Sequence, residues 1–375
     1  MTHAMIVAPQ PEAVEEGALI LKNGGNAVDA AIGCALVQTV VDPQMCGLAG
    51  FGTMQLYLPS LNHHGFIDFH TKAPASVSEN MWQDLIEGEA RDGFGFFLKG
   101  RVNEIGYQSI MILEMLHILD HFDLAAMVHN GPEYIRTVAE AMKYATIDKD
   151  TKVGDPAFVD VPIDELLSKD YVVGLAQCIR RGEQANVVRL GSGEPSKDTT
   201  HICVIDADGN AVTMTHSLGM PSGVITEGLG FMYNGCMSVF DPRPGRVGSL
   251  SPGKSRFTAM APTIVFKGEE PYIVIGAPGG TYITMGILQG ILNVIDFGMN
   301  MLEAVAAPRF TANSNTIDVS NRIPRYVTHD LEQMGYPVAR NYHSYPFAGV
   351  HGIRIRDGIP DGGADPGRDG MALAV

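Results

Sequence analysis

Five cysteines are spread through 375 residues, at positions 34, 46, 178, 203 and 236, an odd number without CxxC spacing. A disulfide framework or a zinc cluster is therefore not expected, and each cysteine reads as a small buried hydrophobe. Positive charge is scarce too: 26 Lys and Arg stand against 42 Asp and Glu, a net charge of −16. Phosphate binding needs clustered Lys and Arg and no such cluster is visible, which argues against nucleic acid as a partner. No apolar stretch approaches the roughly 18 residues of a membrane span, so no membrane partner is expected. The N-terminal MTHAMIVAPQPEA lacks a basic region followed by an apolar run, and a cytoplasmic location is the expectation. Metal-ligand patterns are equally thin. His117 and His121 are four apart on an expected helix with no third ligand in view, and His63, His64, His201 and His216 give no stronger signal. Neither a metal nor another cofactor is expected.

What is there suits a globular fold, with 45% hydrophobic and 18% charged residues. The run PEAVEEGALILKNGG has apolar residues at helical spacing and a glycine stop, and NAVDAAIGCALVQTVV restarts at an Asn cap. Two strands are expected in GLAGFGTMQLYLP and HHGFIDFHTKAP, helices over 112–123 and 132–149, and a rigid loop in GDPAFVDVP. Residues 181–197 turn polar and rich in Gly and Ser, as an exposed linker would be. Directly after Asp198, TTHICVID and AVTMTHSLG flank the turn Asp208-Gly209-Asn210, the strongest hairpin signal in the chain. The strands PTIVF and PYIVIGAP and the helix TYITMGILQGILNVID follow, and the mixture predicts stacked sheets with helices outside.

One junction carries chemistry. Thr199 opens a strand just after a cleavable-looking linker, which suits a nucleophile whose own α-amine accepts the hydroxyl proton once the preceding bond is cut. A polar loop entering a hairpin has the same appearance. Gly279 and Gly280, in GAPGGTYITMGIL, sit between an expected strand and helix, where backbone N–H groups can converge on developing negative charge. A plain tight turn is the competing reading, and neither GxGxxG nor GxxxxGK[ST] is present.

At these residues the sequence resembles the γ-glutamyltransferase (γ-glutamyltranspeptidase) family of N-terminal-nucleophile (Ntn) hydrolases. The matches run in the family's order: NGGNAVDAA, then AEAMKYA with GDPAFVDVP and LLSKDY, then DTTH with DADGN, then APGG and finally GGADPGRDG. The resemblance implies an α+β fold, a four-layer αββα sandwich that cuts itself between Asp198 and Thr199. It implies two associated subunits, 1–198 and 199–375, sharing one joint core. It makes Thr199 the nucleophile, with Gly279 and Gly280 as oxyanion donors, and the substrate a small-molecule amide cleaved through an acyl-enzyme.

The departures fall on the substrate side. Members that handle γ-glutamyl compounds carry an Arg-Glu pair before Ala-Pro, the Arg holding the substrate's α-carboxylate; here IDFHTKAP puts His70 in that place, with Lys72 nearby. The family's Asp for the α-ammonium becomes Val239 in NGCMSVF, and its Gln becomes Cys236. Its paired serines become Thr258 and Ala259 before Met260, Ser217 keeps a hydroxyl where a Thr is usual, and Gly219 replaces an Asn and widens the site. A bidentate carboxylate clamp and the counter-charge of an ammonium are thereby lost. Ile110 also runs directly into Met111, where the family continues through a long helical region expected to lie outside the sandwich. Its loss would expose apolar surface and open the cleft.

Three expectations result: an active threonine amidohydrolase or acyltransferase with a non-standard substrate; a glutathione-type γ-glutamyltransferase using His70 or Lys72 for the missing Arg; and an unprocessed, inactive homologue.

Overall fold

The computed structural model describes residues 4–89, 95–98, 101–104, 111–187, 199–256 and 258–375. Asp198, most of the 181–197 linker and the Ile110 side of the 110–111 junction lie outside the described residues.

Two sheets face each other. The first has six antiparallel strands in the spatial order Gly370–Ala374, Met5–Pro9, Thr200–Ile205, Ala211–Ser217, Phe51–Leu58, His63–Asp68. The second has four, in the order Thr263–Lys267, Glu270–Gly276, His351–Arg356, Ile359–Gly363. Alternation along each strand builds the layers, because successive side chains leave a strand on opposite faces. Met5, Val7, Cys203 and Ile205 pack with Ile264, Val274 and Ile353 between the sheets. Ile6, Ala8, Ile202 and Val204 pack on the other face, against Val14, Ala18, Ala30 and Cys34 of the helices Pro11–Lys22 and Ala27–Val41. Beyond the second sheet, Ile273 and Ile275 meet an apolar layer from the helices Met111–Leu119, Pro132–Lys152, Ile283–Ile295, Met301–Ala306 and Arg325–Gln333. The four layers run helix, sheet, sheet, helix, as the resemblance implies.

The helix pair forms where the caps demand. Asn26 Oδ1 accepts the N–H groups of Val28 and Asp29 at 2.8 and 3.1 Å, and Asp29 returns a carboxylate oxygen to the Asn26 N–H at 3.1 Å. Asp206, in the hairpin turn, accepts the Ala27 N–H at 2.8 Å and so pins the second helix to the hairpin. The expected helix over 112–123 ends at Leu119, leaving His121 in a turn and out of helical register with the exposed His117. The expected 132–149 helix extends to Lys152.

Candidate active site

Thr199 stands immediately before the strand Thr200–Ile205, buried at 7% exposure, with φ +101°. That dihedral is unusual for a β-branched residue, whose Cβ crowds the backbone there. Its Oγ1 donates to Ser217 Oγ at 2.9 Å, and Ser217 Oγ also accepts the Gly219 N–H at 2.7 Å. Ser217 is the last residue of the strand that returns from the hairpin, so two strands deliver the pair.

The neighbours of that pair hang from one buried side chain. Thr200 and His216 face each other across the hairpin. Gln38, fully buried on the helix Ala27–Val41, donates from Nε2 to Thr200 Oγ1 at 2.9 Å and accepts from His216 Nε2 at 2.8 Å. Burial lowers the His216 pKa to about 4, which keeps the ring neutral, and the Gln38 Oε1 acceptor selects the tautomer with the proton on Nε2. Gln10 bonds Gln38 at 3.1 Å and Asp42 at 2.7 Å, extending this scaffold behind the strand ends. Neither Gln38 nor His216 stands out in the sequence as part of a site, because one lies inside an apolar helix and the other inside a strand.

The Gly279-Gly280 turn leaves the second sheet close by. Its strand ends at Gly276, where an added Cβ would lie 2.1 Å from His201 Cε1, so the ring two residues past Thr199 fills the space that only glycine leaves. Gly279 has φ +137°, and a Cβ there would lie 2.6 Å from Ala348 Cα. Gly280 opens a turn, Gly280–Tyr282, that runs into the helix Ile283–Ile295.

A second cluster adjoins Ser217. Phe51 is its partner across the sheet, and the Phe51 ring lies 4.5 Å from the His70 ring and 4.2 Å from the Arg256 guanidinium. A Cβ on Gly219 would meet Arg256 Nη1 at 3.2 Å, Phe51 Cε1 at 3.2 Å and Cys236 Sγ at 3.3 Å. Gly219, at φ +74°, is thus the floor on which these three side chains converge. Cys236 and Met260 pack with Phe51, and Thr258 Oγ1 accepts the Met260 N–H at 3.1 Å. Ala259 turns away into the helix-side core.

His70 is held neutral in this structure. Desolvation first, and repulsion from Arg256 second, lower its pKa to about 2, and both ring nitrogens are buried without a hydrogen-bond partner. It contributes an apolar wall. Lys72 is exposed, tied by its backbone to Ser255. Val239 is buried at 8% exposure at the end of the turn Cys236–Val239 and brings no charge. Cys236 has its thiol pKa raised by burial.

A self-bonded hydroxyl pair at the head of a central strand, inside four layers, is the arrangement implied for an N-terminal-nucleophile hydrolase. The chain belongs to the gamma-glutamyltranspeptidase family, whose sequence model matches residues 13–95 and 103–375. It is 36% identical over 270 residues to the Acylase ACY 1 proenzyme of Pseudomonas sp. (strain V22), covering 71% of this chain and 48% of that protein. It is 31% identical over 289 residues to the glutathione hydrolase proenzyme of Bacillus subtilis (strain 168), covering 71% of this chain and 49% of that one. The chain therefore spans about half the length of the curated relatives it matches. In three dimensions it is similar to a cephalosporin acylase from Bacillus halodurans, with TM-score 0.83 at 19% identity over 99% of this chain and 96% of that one. At that identity the likeness speaks for the fold.

Proposed function

We propose that the chain is an amide hydrolase or acyltransferase whose nucleophile is Thr199, freed by self-cleavage after Asp198. The observation that carries the reading is the buried Thr199 hydroxyl at a strand head, bonded to Ser217 and held in a strained dihedral. Strain of this kind costs on the order of 1–3 kcal/mol, and breaking the bond ahead of Thr199 releases it. In the self-cleavage, Thr199 Oγ1 attacks the Asp198 carbonyl carbon, the backbone nitrogen leaves as an amine, and water hydrolyses the resulting ester. In turnover, the same oxygen attacks a substrate amide while its proton passes to the new α-amine. That proton then leaves with the departing amine, and water or another amine releases the acyl group. The Gly279 and Gly280 N–H groups receive the oxyanion. The two products of processing, 1–198 and 199–375, remain one associated unit, a reading that the name proenzyme, carried by both relatives, supports.

The favoured substrate is an amide whose acyl part lacks the free α-amino-acid head. With a neutral His70 and an apolar Val239, the two γ-glutamyl anchors are missing at their family positions. The similarity to an acylase proenzyme supports this, and the similarity to glutathione hydrolases supports the γ-glutamyl alternative.

Intact-mass spectrometry tests the central step. Wild-type protein should give two fragments split between Asp198 and Thr199, Thr199→Ser should give slower splitting, and Thr199→Ala only the whole chain. Folded wild-type protein that never splits would leave an unprocessed homologue as the answer. Faster turnover of a chromogenic γ-glutamyl anilide than of simple acyl anilides would restore the γ-glutamyl reading.

A further inference from the structure

We infer that Gln38 is a positioning residue for the proposed reaction: its side-chain amide replaces missing rungs of the first sheet and holds the strand head that carries Thr199. The inference rests on Thr199 being the nucleophile and adds what keeps that residue in place once the bond ahead of it is cut.

The strands Met5–Pro9 and Thr200–Ile205 run antiparallel. Among the described residues their pairing covers Met5 with Ile205, Ile6 with Val204 and Val7 with Cys203. In that register Ala8 would face Ile202, Pro9 His201 and Gln10 Thr200, but the ladder stops short of them, and Pro9 has no N–H to give it. At the end next to Thr199 the strand is laddered on one side, to Ala211–Ser217. Gln38 enters the gap from the helix Ala27–Val41. Its Nε2 donates to Thr200 Oγ1 at 2.9 Å, to Gln10 Oε1 at 3.1 Å and to the Pro9 carbonyl at 3.3 Å. Its Oε1 accepts from His216 Nε2 at 2.8 Å, opposite Thr200 in the hairpin. One buried amide thus ties the ends of three neighbouring strands.

Gln38 acts through the residue after the nucleophile and the residue before Ser217. Its own frame is fixed at both ends of the helix: Asp206 accepts the Ala27 N–H at 2.8 Å, and Asp42 accepts Gln10 Nε2 at 2.7 Å. Just beyond, the Met45 carbonyl accepts the Leu218 N–H at 3.1 Å, which registers this helix end against Ser217. Before the cut, the covalent chain also anchors the strand head. After it, Thr199 is a chain end, and chain ends fray unless they are tied down.

The test uses Gln38→Leu, which removes donor and acceptor, and Gln38→Glu, which keeps the acceptor for His216 and regains a donor only when its carboxyl is protonated. Burial raises such a carboxyl above its ordinary range, while His216 stays neutral down to about pH 4 and Asp42 lies behind Gln10. With pentanoyl and γ-glutamyl p-nitroanilides, Gln38→Leu should lose about 10- to 100-fold in kcat with KM within about 2-fold of wild type. Gln38→Glu should match Gln38→Leu at about pH 8 and recover toward wild type at about pH 5.5. A time course of fragment masses reads the same effects on self-cleavage and needs no substrate. An unchanged kcat, a loss carried by KM, or a Gln38→Glu pH profile parallel to wild type overturns the inference. Because Gln38→Glu is read at two pH values on one folded protein, a general loss of stability does not imitate the recovery. Amide hydrogen exchange keeps this inference apart from the nucleophile assignment. In a Thr199→Ala background, Gln38→Leu should speed exchange at residues 200–202 by about 10-fold relative to residues 203–205. Turnover by Thr199→Ala sinks the nucleophile assignment while the exchange ratio still decides Gln38, and an unchanged ratio overturns the role of Gln38 alone.

Discussion

Ser217 receives two donors at once, the Thr199 hydroxyl at 2.9 Å and the Gly219 N–H at 2.7 Å. In the proposed reaction it orients the attacking oxygen, and at the same time it fixes Gly219. Removing its hydroxyl leaves the part-buried Gly219 N–H and the Thr199 hydroxyl without their acceptor, a loss of roughly 1–2 kcal/mol. Ser217→Ala should therefore slow both fragment appearance and turnover by about 10-fold, while Ser217→Thr, which keeps the oxygen, should stay near wild type. A time course of fragment masses reads the first effect, and an unslowed Ser217→Ala would remove Ser217 from the site. As candidates, Thr199 and Ser217 were both legible in the sequence, Thr199 as the residue that follows the linker and Ser217 through the family resemblance. Arg256, Phe51 and Gln38 were not. Arg256 reads as one basic residue in a polar loop, and only the fold brings Phe51 and Gly219, distant along the chain, beside it.

At the scale of elements, the hairpin and the second helix form one unit through Asp206. Its carboxylate accepts the Asp208 and Asn210 N–H groups at 3.0 Å each, Asn210 Nδ2 at 2.7 Å and the Ala27 N–H at 2.8 Å. The turn that ends the strand Thr200–Ile205 thus also begins the helix carrying Gln38. Charge-assisted bonds of this kind are the stronger ones, and the group is 5% exposed. Asp206→Ala should cost roughly 2–4 kcal/mol in thermal unfolding, and Asp206→Asn less, since one acceptor oxygen survives. A melting temperature equal to wild type would show that the turn is held by its backbone alone. The turn, both its strands and the helix pair were readable from DADGN, alternation and the Asn26 cap. The strand Met5–Pro9 and the three C-terminal strands from His351 onward were not. A five-residue apolar run such as MIVAP has no local feature that assigns it to the middle of a sheet, and Gly-rich DGGADPGRDG pairs as strand only through partners far along the chain.

For the whole molecule, the decisive fact is how the two halves around residue 199 interleave in the first sheet. Met5–Pro9 lies between Gly370–Ala374 and Thr200–Ile205, and Phe51–Leu58 pairs with Ala211–Ser217 across seven residue pairs. Three ladders thus join residues before the proposed cut to residues after it. The helix-side core repeats the pattern, since Met115, Ile118 and Met142 pack with Ile273, Leu288 and Phe310. Breaking one peptide bond at a strand head removes none of these ladders and exposes none of that apolar surface. Fragments 1–198 and 199–375 should therefore elute as a single species in native size exclusion and melt in one cooperative transition. They should part only in denaturant. Separate elution of the two in native buffer would mean that each half holds a core of its own, which the alternation of strands in the first sheet leaves no room for.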